Sequence, residues 1–426
     1  MKRVALKTVG CRLNQAETAR IAAEFQAVGY VVTDWGKPCE VAVVHSCAVT
    51  AGAEQTSARL LRAATRQTPS PFTVLAGCAA EVAATRLKAK TGANLVVSQR
   101  DKFDIPAQIA SLEHPALATH ASCSPGKTLA RPIPFFSKTR AIVKIQDGCD
   151  FHCAYCIVPL ARGKPVSRPC TEILDEIARL AERGTREIML TGANIGCYRR
   201  GRMRLPDLLA RVEAIAGIER IRIGSIEMST AEKDVIDFMA QSVKLCRSLH
   251  FPLQSGDDGI LHAMGRRYAA RDYRRMIEYA VATLGAPGLG TDIVVGFPGE
   301  DRRAFANTRA LVRDLPFSNL HVFPFSPRPG TRACAMGPSV PQSEKRARVA
   351  RLIALGEKKK LAFARRWLHR EVAVLIESAS PRAGGRGWTG EYLPAVVRHA
   401  NARVNEIVRF VPTAIADGAL IRAAPE

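Results

Sequence analysis

The first hundred residues alternate short apolar runs with longer segments whose apolar positions repeat every three to four residues. RVALKT, VAVVHS, TVLAG and NLVV are apolar runs of strand length, and segments with helical spacing follow the first three. A succession of strands and helices predicts a parallel sheet covered by helices. We therefore predict an amino-terminal parallel α/β domain over residues 1–111.

This periodicity is lost over residues 112–138, which gather Pro, Ser and Gly and are typical of a linker. Strand and helix patterns alternate again over residues 139–367, which predicts a central partial (β/α) barrel with its working end at the carboxyl ends of the strands. Residues 368–426 carry short β-like runs between glycine-rich turns and predict a small carboxy-terminal β-barrel. The predicted fold class is α/β in three parts.

Length, charge and cysteine content limit the classes of protein to which the chain can belong. A chain of 426 residues with 47% apolar residues can bury the cores of two to three domains at ~150 residues each. The formal net charge of +23 indicates either a basic proteome with many surface arginines or a polyanionic partner, and charge alone does not separate the two. No signal peptide or membrane-spanning run is evident. We expect a cytoplasmic protein whose twelve cysteines stay thiols or bind metal.

Three cysteines stand close together with the spacing C-x3-C-x2-C: Cys149, Cys153 and Cys156. Three thiolates in one loop can hold three corners of a [4Fe–4S] cluster and leave one iron open to a small molecule. Structural zinc sites usually pair two C-x2-C knuckles, and Cys153–Cys156 has no such partner elsewhere in the chain. The spacing therefore favours an open-iron cluster over zinc or chance.

Three further cysteines end the first three predicted strands: Cys11, Cys47 and Cys78. The carboxyl ends of parallel strands share one edge of a sheet, where ligands bind. Each cysteine alone could be a small buried apolar residue. Because all three occupy the same place relative to a strand, we favour a second three-cysteine cluster site.

Several blocks together resemble one family. GCRLNQAE, HSCAVT and AGCAAE resemble the cysteine blocks of an amino-terminal methylthiotransferase domain, and DGCDFHCAYCIVPLARGKPVSR resembles a radical S-adenosylmethionine (SAM) loop. LHFPLQSGDD, MGRRY, TDIVVGFPGE and HVFPFSPRPGTRA are similar to later blocks of that family, and GWTGEYLPAVV to the start of a TRAM domain, a small RNA-binding β-barrel. Over essentially its full length, the chain resembles the radical-SAM methylthiotransferases.

The resemblance implies two [4Fe–4S] clusters and SAM as cofactors. One cluster would cleave SAM into methionine and a 5′-deoxyadenosyl radical, and its ligands would be Cys149, Cys153 and Cys156. The auxiliary cluster would carry the sulfur that is methylated and inserted, and its ligands would be Cys11, Cys47 and Cys78. An electron donor of flavodoxin or ferredoxin type is the expected partner for reduction.

Candidate residues of the SAM pocket lie in the cysteine loop and after strands of the predicted barrel. For each of them, packing, a turn or a buried structural polar group is the alternative. The candidates are Tyr155, Thr191, Gly192, Glu227, Gln254 and Asp292, with Ser255 and Gly296 as further members.

The proteins that this sequence resembles modify either a tRNA adenosine beside the anticodon or an aspartate of a ribosomal protein. GCRLNQAE and SCAVTAGAEQTSARLLR are closest to the group that adds a methylthio group to C2 of N6-threonylcarbamoyladenosine in tRNA. Basic runs with interleaved aromatic residues at 198–204, 264–276 and 356–370 suit RNA, although solvated helix faces are the alternative. Isopentenyladenosine, the ribosomal aspartate and a non-catalytic iron–sulfur RNA-binding sensor stay open as other functions.

One histidine and two arginines lie close to the cysteines in the sequence. His45 stands where the resembling proteins usually have Asn, and we expect a tolerated replacement at the surface or in a turn, not an added ligand. Arg162 and Arg168 flank the cysteine loop, where they could bind a phosphate or the SAM carboxylate or simply be solvated.

Overall fold

The amino-terminal part is a five-stranded parallel sheet in the order β2-β1-β3-β4-β5. In the computed structural model of the protein, the described residues are 1–113, 139–337, 340–380, 384–397 and 402–421, so nearly all of the predicted linker at 112–138 lies outside them. The elements are β1 (Arg3–Thr8), α1 (Arg12–Ala27), β2 (Val31–Thr33), β3 (Val41–Ser46), α2 (Ala51–Ala64), β4 (Phe72–Gly77), α3 (Cys78–Thr91), β5 (Leu95–Val97) and α4 (Ile105–Glu113).

The neighbouring strands β3 and β4 have the burial that is typical of a parallel sheet. Every residue of β3 is buried, as expected for a strand covered on both faces. Alternate residues divide between two cores, with Val44 and Leu75 on one face and Val43 and Val74 on the other. The amino-terminal parallel sheet is thus confirmed. The sequence pattern missed β2, because its three residues lie at the sheet edge and none is buried.

The central part begins with a strand that leads into the cysteine loop. Its elements are β6 (Arg140–Lys144), β7 (Gln146–Asp147), α5 (Val158–Arg162), β8 (Val166–Ser167), α6 (Cys170–Glu182), β9 (Glu187–Thr191), β10 (Arg199–Arg200), β11 (Met203–Arg204), α7 (Leu205–Glu213), β12 (Arg220–Ile223), α8 (Lys233–Gln241), β13 (Ser248–His250), α9 (Asp258–Ala263), α10 (Ala270–Leu284), β14 (Gly288–Val295), α11 (Arg302–Asp314), β15 (Asn319–Pro324), α12 (Arg332–Ala335) and α13 (Gln342–Arg365).

Six of these strands follow one another in a curved parallel arrangement. β6, β9 and β12 pair in parallel, as do β13, β14 and β15, and a parallel bridge between Ile221 and Leu245 continues from one set to the other. One continuous core with residues from α6, α7, α8 and α10 covers the outer face of the strands. This is the predicted partial (β/α) barrel.

The carboxy-terminal part is a six-stranded sheet in the order β19-β16-β17-β18-β21-β20. Its strands are β16 (Val372–Ser380), β17 (Gly384–Thr389), β18 (Pro394–Val397), β19 (Ile407–Phe410), β20 (Ala414–Ala416) and β21 (Ala419–Ile421). An irregularity between Ile376 and Ser378 interrupts the pairing of the long strand β16, as β-bulges do where a sheet bends. The predicted all-β tail is present, while its assignment as a TRAM domain stays a prediction.

A buried ion network joins this tail to the amino ends of the barrel strands. Glu187, at the start of β9, accepts from Arg222 Nε at 2.7 Å. Arg222 also donates to the carbonyls of Thr389 and Gly390 and stacks over Tyr392, 4.6 Å from its ring centre. Arg140 and Arg220 lie 3.2 and 3.0 Å from the same carboxylate, so three arginines share Glu187.

The described residues form two compact units that do not follow the predicted boundaries. The first unit contains residues 1–113, 147–166 and 326–334. The second unit contains residues 139–146 and 167–325 and the described residues from 335 onward. The cysteine loop therefore belongs to the same unit as the amino-terminal sheet. Within the described ranges, no helix combines the length and the apolar character needed to cross a membrane.

Candidate functional site

The C-x3-C-x2-C loop is a tight turn between β7 and α5. Gly148 has φ +70°, and a Cβ at this position would lie 2.0 Å from the carbonyl oxygen of Lys164, so only glycine fits. The amide of Cys149 donates to the carbonyl of Gly163 at 3.0 Å, and that of Cys156 to Cys153 at 3.0 Å. The three cysteines and Tyr155 are half-buried. Backbone packing therefore fixes the loop that presents the thiols.

A second segment of the same unit braces this loop. The amide of Ala333 donates to the carbonyl of Ala154 at 2.8 Å, and Arg332 donates to the carbonyl of His152 at 3.2 Å. His152 itself adopts a left-handed backbone conformation with φ 47°. The loop thus has external hydrogen bonds that hold its strained residue in place.

The three strand-end cysteines lie at the carboxyl edge of neighbouring strands, as predicted. Cys47 and Cys78 directly follow β3 and β4, whose last residues Ser46 and Gly77 are paired in register. Cys11 precedes α1, and a Cβ on the adjacent Gly10 would lie 2.7 Å from Cys47 Sγ. The sheet therefore brings three cysteines that are far apart in sequence to one edge.

Burial controls the protonation of these thiols. Burial raises the pKa of Cys47, and it raises the pKa of Cys78 to about 12, more than the nearby Arg162 lowers it. Without metal, both groups are therefore thiols at neutral pH. Iron would convert them to thiolates, and burial of this kind makes metal binding release protons.

The donor set fits iron–sulfur chemistry at both places. Each place offers three cysteines, which is the number that leaves one iron of a [4Fe–4S] cluster without a protein ligand. Ile157 and Ala161, from the end of the loop and from α5, share a core with Cys47 and Cys78. The two sets of cysteines are thus parts of one folded unit.

Arg162 is the central cation of this unit. Its guanidinium donates to both carboxylate oxygens of Glu17 at 3.1 and 3.0 Å, to Asn14 Oδ1 at 2.6 Å and to Asp147 Oδ1 at 2.8 Å. Only 3% of its side chain is exposed. Lys102 Nζ lies 3.3 Å from Glu17 as a second cation. Arg162 is therefore neither solvated nor free for a phosphate or the SAM carboxylate, which corrects the sequence-based expectation.

The expectation of a surface or turn position for His45 is also wrong. His45 lies in β3 and is completely buried. Its Nδ1 is 2.9 Å from Thr18 Oγ1 and 3.1 Å from the carbonyl of Asn14, and its ring fills the space above Gly77. Burial lowers the pKa of His45 to about 4 although Glu17 is near, so the ring is neutral. It supports the helix that begins beside Cys11.

Arg168 has a structural partner set. Its guanidinium donates to Glu176 and to the carbonyl of Lys144, both at 2.7 Å, and its side chain is 27% exposed. These contacts join α6 to the end of β6. Arg168 is thus only partly solvated.

Thr191 and Gly192, the first candidates for the SAM pocket in the barrel, end β9. The carbonyl of Thr191 accepts from the amide of Ile145, and a Cβ on Gly192 would lie 2.9 Å from the carbonyl of Gln146. Gly192 thus permits close packing of two strand ends. A role in SAM binding stays a prediction for both residues.

Glu227 lies in the loop after β12 and is held in place by neighbours. Its carboxylate accepts from the amide of Ser229 at 2.7 Å and from Arg266 at 2.7 Å. The side chain of Arg266 is 4% exposed. Sequence reasoning missed Arg266, although its place in the MGRRY block was a signal. The carboxylate is oriented, and a bond to a ribose hydroxyl stays a prediction.

Asp292 lies in β14, and Gln254 forms an isolated parallel bridge with Ile293 of the same strand. The amide of Gln254 donates to the carbonyl of Asp292 at 2.8 Å, and Gln254 has φ 70°. Sequence reasoning missed His250 and His321, whose ring nitrogens lie 3.3 and 3.1 Å from Asp292 Oδ1. Burial alone raises the pKa of Asp292, but the two histidines outweigh it and hold that pKa well below its usual range. The carboxyl group of Asp292 is therefore ionised, and it lies beside the rings of His250 and His321. A role in SAM binding stays a prediction for Gln254 and Asp292.

The remaining two candidates support backbone turns. Ser255 Oγ is 3.2 Å from Thr308 Oγ1, and the amide of Gly296 donates to Glu300 at 2.6 Å. A role in SAM binding stays a prediction for both residues.

Two aromatic residues of the basic runs are not available as a binding surface. Tyr198 and Tyr273 are buried in the barrel core, with exposures of 1% and 0%. Tyr273 donates to the carbonyl of Phe251 at 2.6 Å. Tyr268 and Trp367 are half-buried. Not every basic residue of the runs is exposed either, since the side chain of Arg266 is 4% exposed and paired with Glu227.

The sequence matches two protein families. Residues 143–312 match the radical SAM superfamily, and residues 3–98 match a family described as uncharacterized protein family UPF0004. The structure resembles that of the radical S-adenosylmethionine methyltransferase TsrM from Kitasatospora setae, with a TM-score of 0.57, 12% identity and coverage of 78% of this chain and 77% of that chain. At this identity the likeness shows the fold alone.

Curated relatives extend along almost the whole chain. The threonylcarbamoyladenosine tRNA methylthiotransferase MtaB of Bacillus subtilis (strain 168) is 31% identical over 96% of this chain and 93% of its own length. The tRNA-2-methylthio-N(6)-dimethylallyladenosine synthase of Cereibacter sphaeroides (strain ATCC 17029 / ATH 2.4.9) is 33% identical over 98% of both chains. The chain belongs to the radical SAM tRNA methylthiotransferase family.

Proposed function

We propose that this enzyme adds a methylthio group to C2 of N6-threonylcarbamoyladenosine beside the anticodon of tRNA. The observation that carries the proposal is the identity of 31% with the Bacillus subtilis threonylcarbamoyladenosine methylthiotransferase over 96% of the chain. The amino-terminal blocks of the sequence support the same substrate. The positive charge of +23 suits a polyanionic RNA.

The chain is a radical SAM enzyme, which uses SAM and a [4Fe–4S] cluster. When bound, the cofactors supply the radical and the methylated sulfur. Cys149, Cys153 and Cys156 are the residues that we assign to the radical-forming cluster. The protein supplies the rigid loop that presents these thiols, through Gly148 and the hydrogen bond from Cys149 to Gly163.

The proposal includes a second cluster on Cys11, Cys47 and Cys78. The strand-end placement of three cysteines supports it, as does the core that Cys47 and Cys78 share with Ile157 and Ala161. Replacing the three cysteines by Ala should remove roughly half of the bound iron. SAM cleavage should persist while methylthiolation stops.

Cys39 provides the matched control for that experiment, because it is a buried cysteine next to the same sheet but not at a strand end. The variant Cys39→Ala should keep the full iron content. Equal iron content in the triple variant and in Cys39→Ala would contradict the second cluster. Complete loss of iron in the triple variant would show that the two cysteine sets do not load independently.

The other parts of the proposal concern partners. We assign the carboxy-terminal sheet to a TRAM-like RNA-binding domain, expect an electron donor of flavodoxin or ferredoxin type, and place the reaction in the cytoplasm. Removal of residues 368–426 is a poor test, because Arg222 would lose its partners in the tail. Substitution of exposed basic residues in the tail, such as Arg386 and Arg409, should weaken tRNA binding while leaving SAM cleavage intact.

Mass spectrometry of tRNA nucleosides from cells lacking the protein tests the substrate directly. We expect loss of the methylthio form of threonylcarbamoyladenosine alone. The second candidate is isopentenyladenosine, favoured by the 33% identity with the Cereibacter sphaeroides enzyme. Loss of its methylthio form would overturn the proposed substrate.

A non-catalytic sensor is tested separately. The reconstituted protein, incubated with SAM and a reductant, should release 5′-deoxyadenosine. Failure to release it from protein with both clusters loaded would favour the sensor.

A further inference from the structure

Three potential metal ligands lie on one face of three neighbouring barrel strands. His250 ends β13 and is paired with Gly290 of β14, and Asp292 of β14 is paired with His321 of β15. Gly290 and Asp292 are two residues apart, so they lie on the same side of their strand. The alternate residues of β14 are buried in the core under the helices. His250, Asp292 and His321 therefore converge on the inner face of the barrel sheet.

Their donor atoms have the spacing that one ion requires. His250 Nε2 and His321 Nδ1 lie 3.3 and 3.1 Å from the same oxygen, Asp292 Oδ1. All three donor atoms lie within 4.8 Å of one another. Ligand atoms bound at about 2.0–2.2 Å to one ion are roughly 3 Å apart when they are adjacent in its coordination shell.

The ring nitrogens that face away from this point are held by polar neighbours. Ser225 Oγ lies 2.8 Å from His250 Nδ1, and the Asn319 side-chain amide lies 3.0 Å from His321 Nε2. The oxygen and nitrogen of an amide can be exchanged by rotation, so Asn319 Oδ1 can accept a hydrogen bond from the ring N–H. Metal-binding histidines are typically oriented by such a second hydrogen bond.

The position of His250 favours a ligand over a self-contained hydrogen-bonded triad. Its Nε2 is buried and has no hydrogen-bond partner of good geometry in the described part of the chain, although Asp292 is near. Gly290 makes room for the ring, because a Cβ there would lie 2.7 Å from His250 Cδ2. A buried nitrogen without a partner is unfavourable, and a bound ion would satisfy it.

We propose that His250, Asp292 and His321 bind one divalent first-row metal ion such as Zn²⁺. Two imidazoles and one carboxylate are a common ligand set for such ions and leave coordination positions open. The side chains are 20%, 26% and 47% exposed, so the open positions are accessible from solvent. This site is distinct from both cysteine sets.

The substrate indicates which group would bind to the open coordination positions of the metal ion. This inference rests on the proposed function. The threonylcarbamoyl group carries a carboxylate and a hydroxyl, which are oxygen donors, whereas an isopentenyl group has none. The ring of Phe323, 44% exposed and 6.4 Å from that of His321, adds an apolar surface beside the site. The ion would therefore bind the amino-acid part of the nucleoside.

Equilibrium dialysis of the cluster-loaded protein against Zn²⁺ tests the metal site. At a Zn²⁺ concentration that just fills the site in wild type, wild type should bind one more Zn²⁺ per chain than His321→Ala. Over a range of concentrations, the affinity of that variant for Zn²⁺ should be at least about tenfold lower than that of wild type. Asp292→Asn should behave likewise, and His321→Ala keeps the test valid if Asp292→Asn does not fold. His262→Ala removes an exposed histidine outside the site and should bind as wild type does.

X-ray absorption at the zinc edge identifies the ligands. The additional Zn²⁺ should show nitrogen and oxygen neighbours at about 2.0–2.1 Å, not sulfur at about 2.3 Å. Equal Zn²⁺ content in wild type and His321→Ala, or a sulfur-only shell, would overturn the metal site and leave a structural triad.

Titration with nucleosides tests the ligand separately. N6-threonylcarbamoyladenosine should tighten Zn²⁺ binding by wild type, and isopentenyladenosine should not. Equal effects of the two nucleosides would refute the ligand. The Zn²⁺ content does not depend on the nature of the modified tRNA base, so the metal site and the proposed function can fail independently.

Discussion

Replacing Arg162 by alanine should destabilise the first unit by about 3 kcal/mol. Removal of one partner of a buried ion pair typically costs about 3–5 kcal/mol, because a charge is left buried and unpaired. Arg162→Ala removes both contacts to Glu17, and Glu17 is only 1% exposed. Lys102 remains 3.3 Å from that carboxylate, which places the expected loss at the lower end of the range.

Hydrogen exchange measured by mass spectrometry on the reduced, metal-free protein reports this loss within the unit. About 3 kcal/mol corresponds to a roughly hundredfold faster exchange of the protected amides in β1, β3 and β4, if these exchange by opening of the whole sheet. Peptides from the barrel provide an internal reference. Thermal unfolding of a chain with several domains would not isolate the effect.

Arg59→Ala is the matched control, since Arg59 is exposed on α2 and has no ion pair among the described residues. Its exchange rates should stay within about a factor of two of wild type. Exchange in Arg162→Ala that matches Arg59→Ala would refute the view that this ion pair stabilises the unit.

Three other changes test neighbouring features. The folded protein holds the pKa of His45 near 4 against 6.5 when unfolded, so the stability of the first unit should fall by up to roughly 3 kcal/mol as pH drops from 6.5 to 4; amide exchange in β3, corrected for its intrinsic pH dependence, should show a smaller fall for His45→Asn, and an equal fall would contradict this. Gly148→Ala should disrupt the cysteine loop and lower reconstituted iron, measured against the exposed Gly201→Ala, whereas equal iron would contradict the need for glycine. Arg222→Met should speed amide exchange in β9 and β12, because Glu187 and the carbonyls of Thr389 and Gly390 lose a buried donor; exchange rates equal to those of wild type would refute this.

The parallel sheet and the barrel could be predicted from the sequence because their strands are buried on one or both faces. Such strands have apolar runs of recognisable length, as in β3 and β4. The edge strand β2 has no buried residue and therefore no such signal. The strand-end position of the cysteines followed from the same pattern, because a strand that ends in cysteine needs no tertiary information to be recognised.

The partners of charged residues could not be predicted in this way. Glu17 and Arg162 are 145 positions apart, and nothing in either local pattern indicates the other. His45 looked like a surface replacement because a single histidine carries no information about burial. The triad of His250, Asp292 and His321 depends on the register of three strands, and the sequence pattern does not define register.

The first unit is made of three stretches of chain, and this has a consequence for its biosynthesis. Residues 1–113 leave the ribosome early, but Arg162 and the segment 326–334 emerge only later. At about 5–20 residues per second, the last segment follows the sheet by roughly ten to forty seconds. Arg162 follows the sheet sooner, by roughly two to ten seconds, and until then the carboxylate of Glu17 lacks its main cation. The unit itself stays incomplete until the segment 326–334 has been made. The nascent sheet should therefore be a target for chaperones until more than three quarters of the protein has been made.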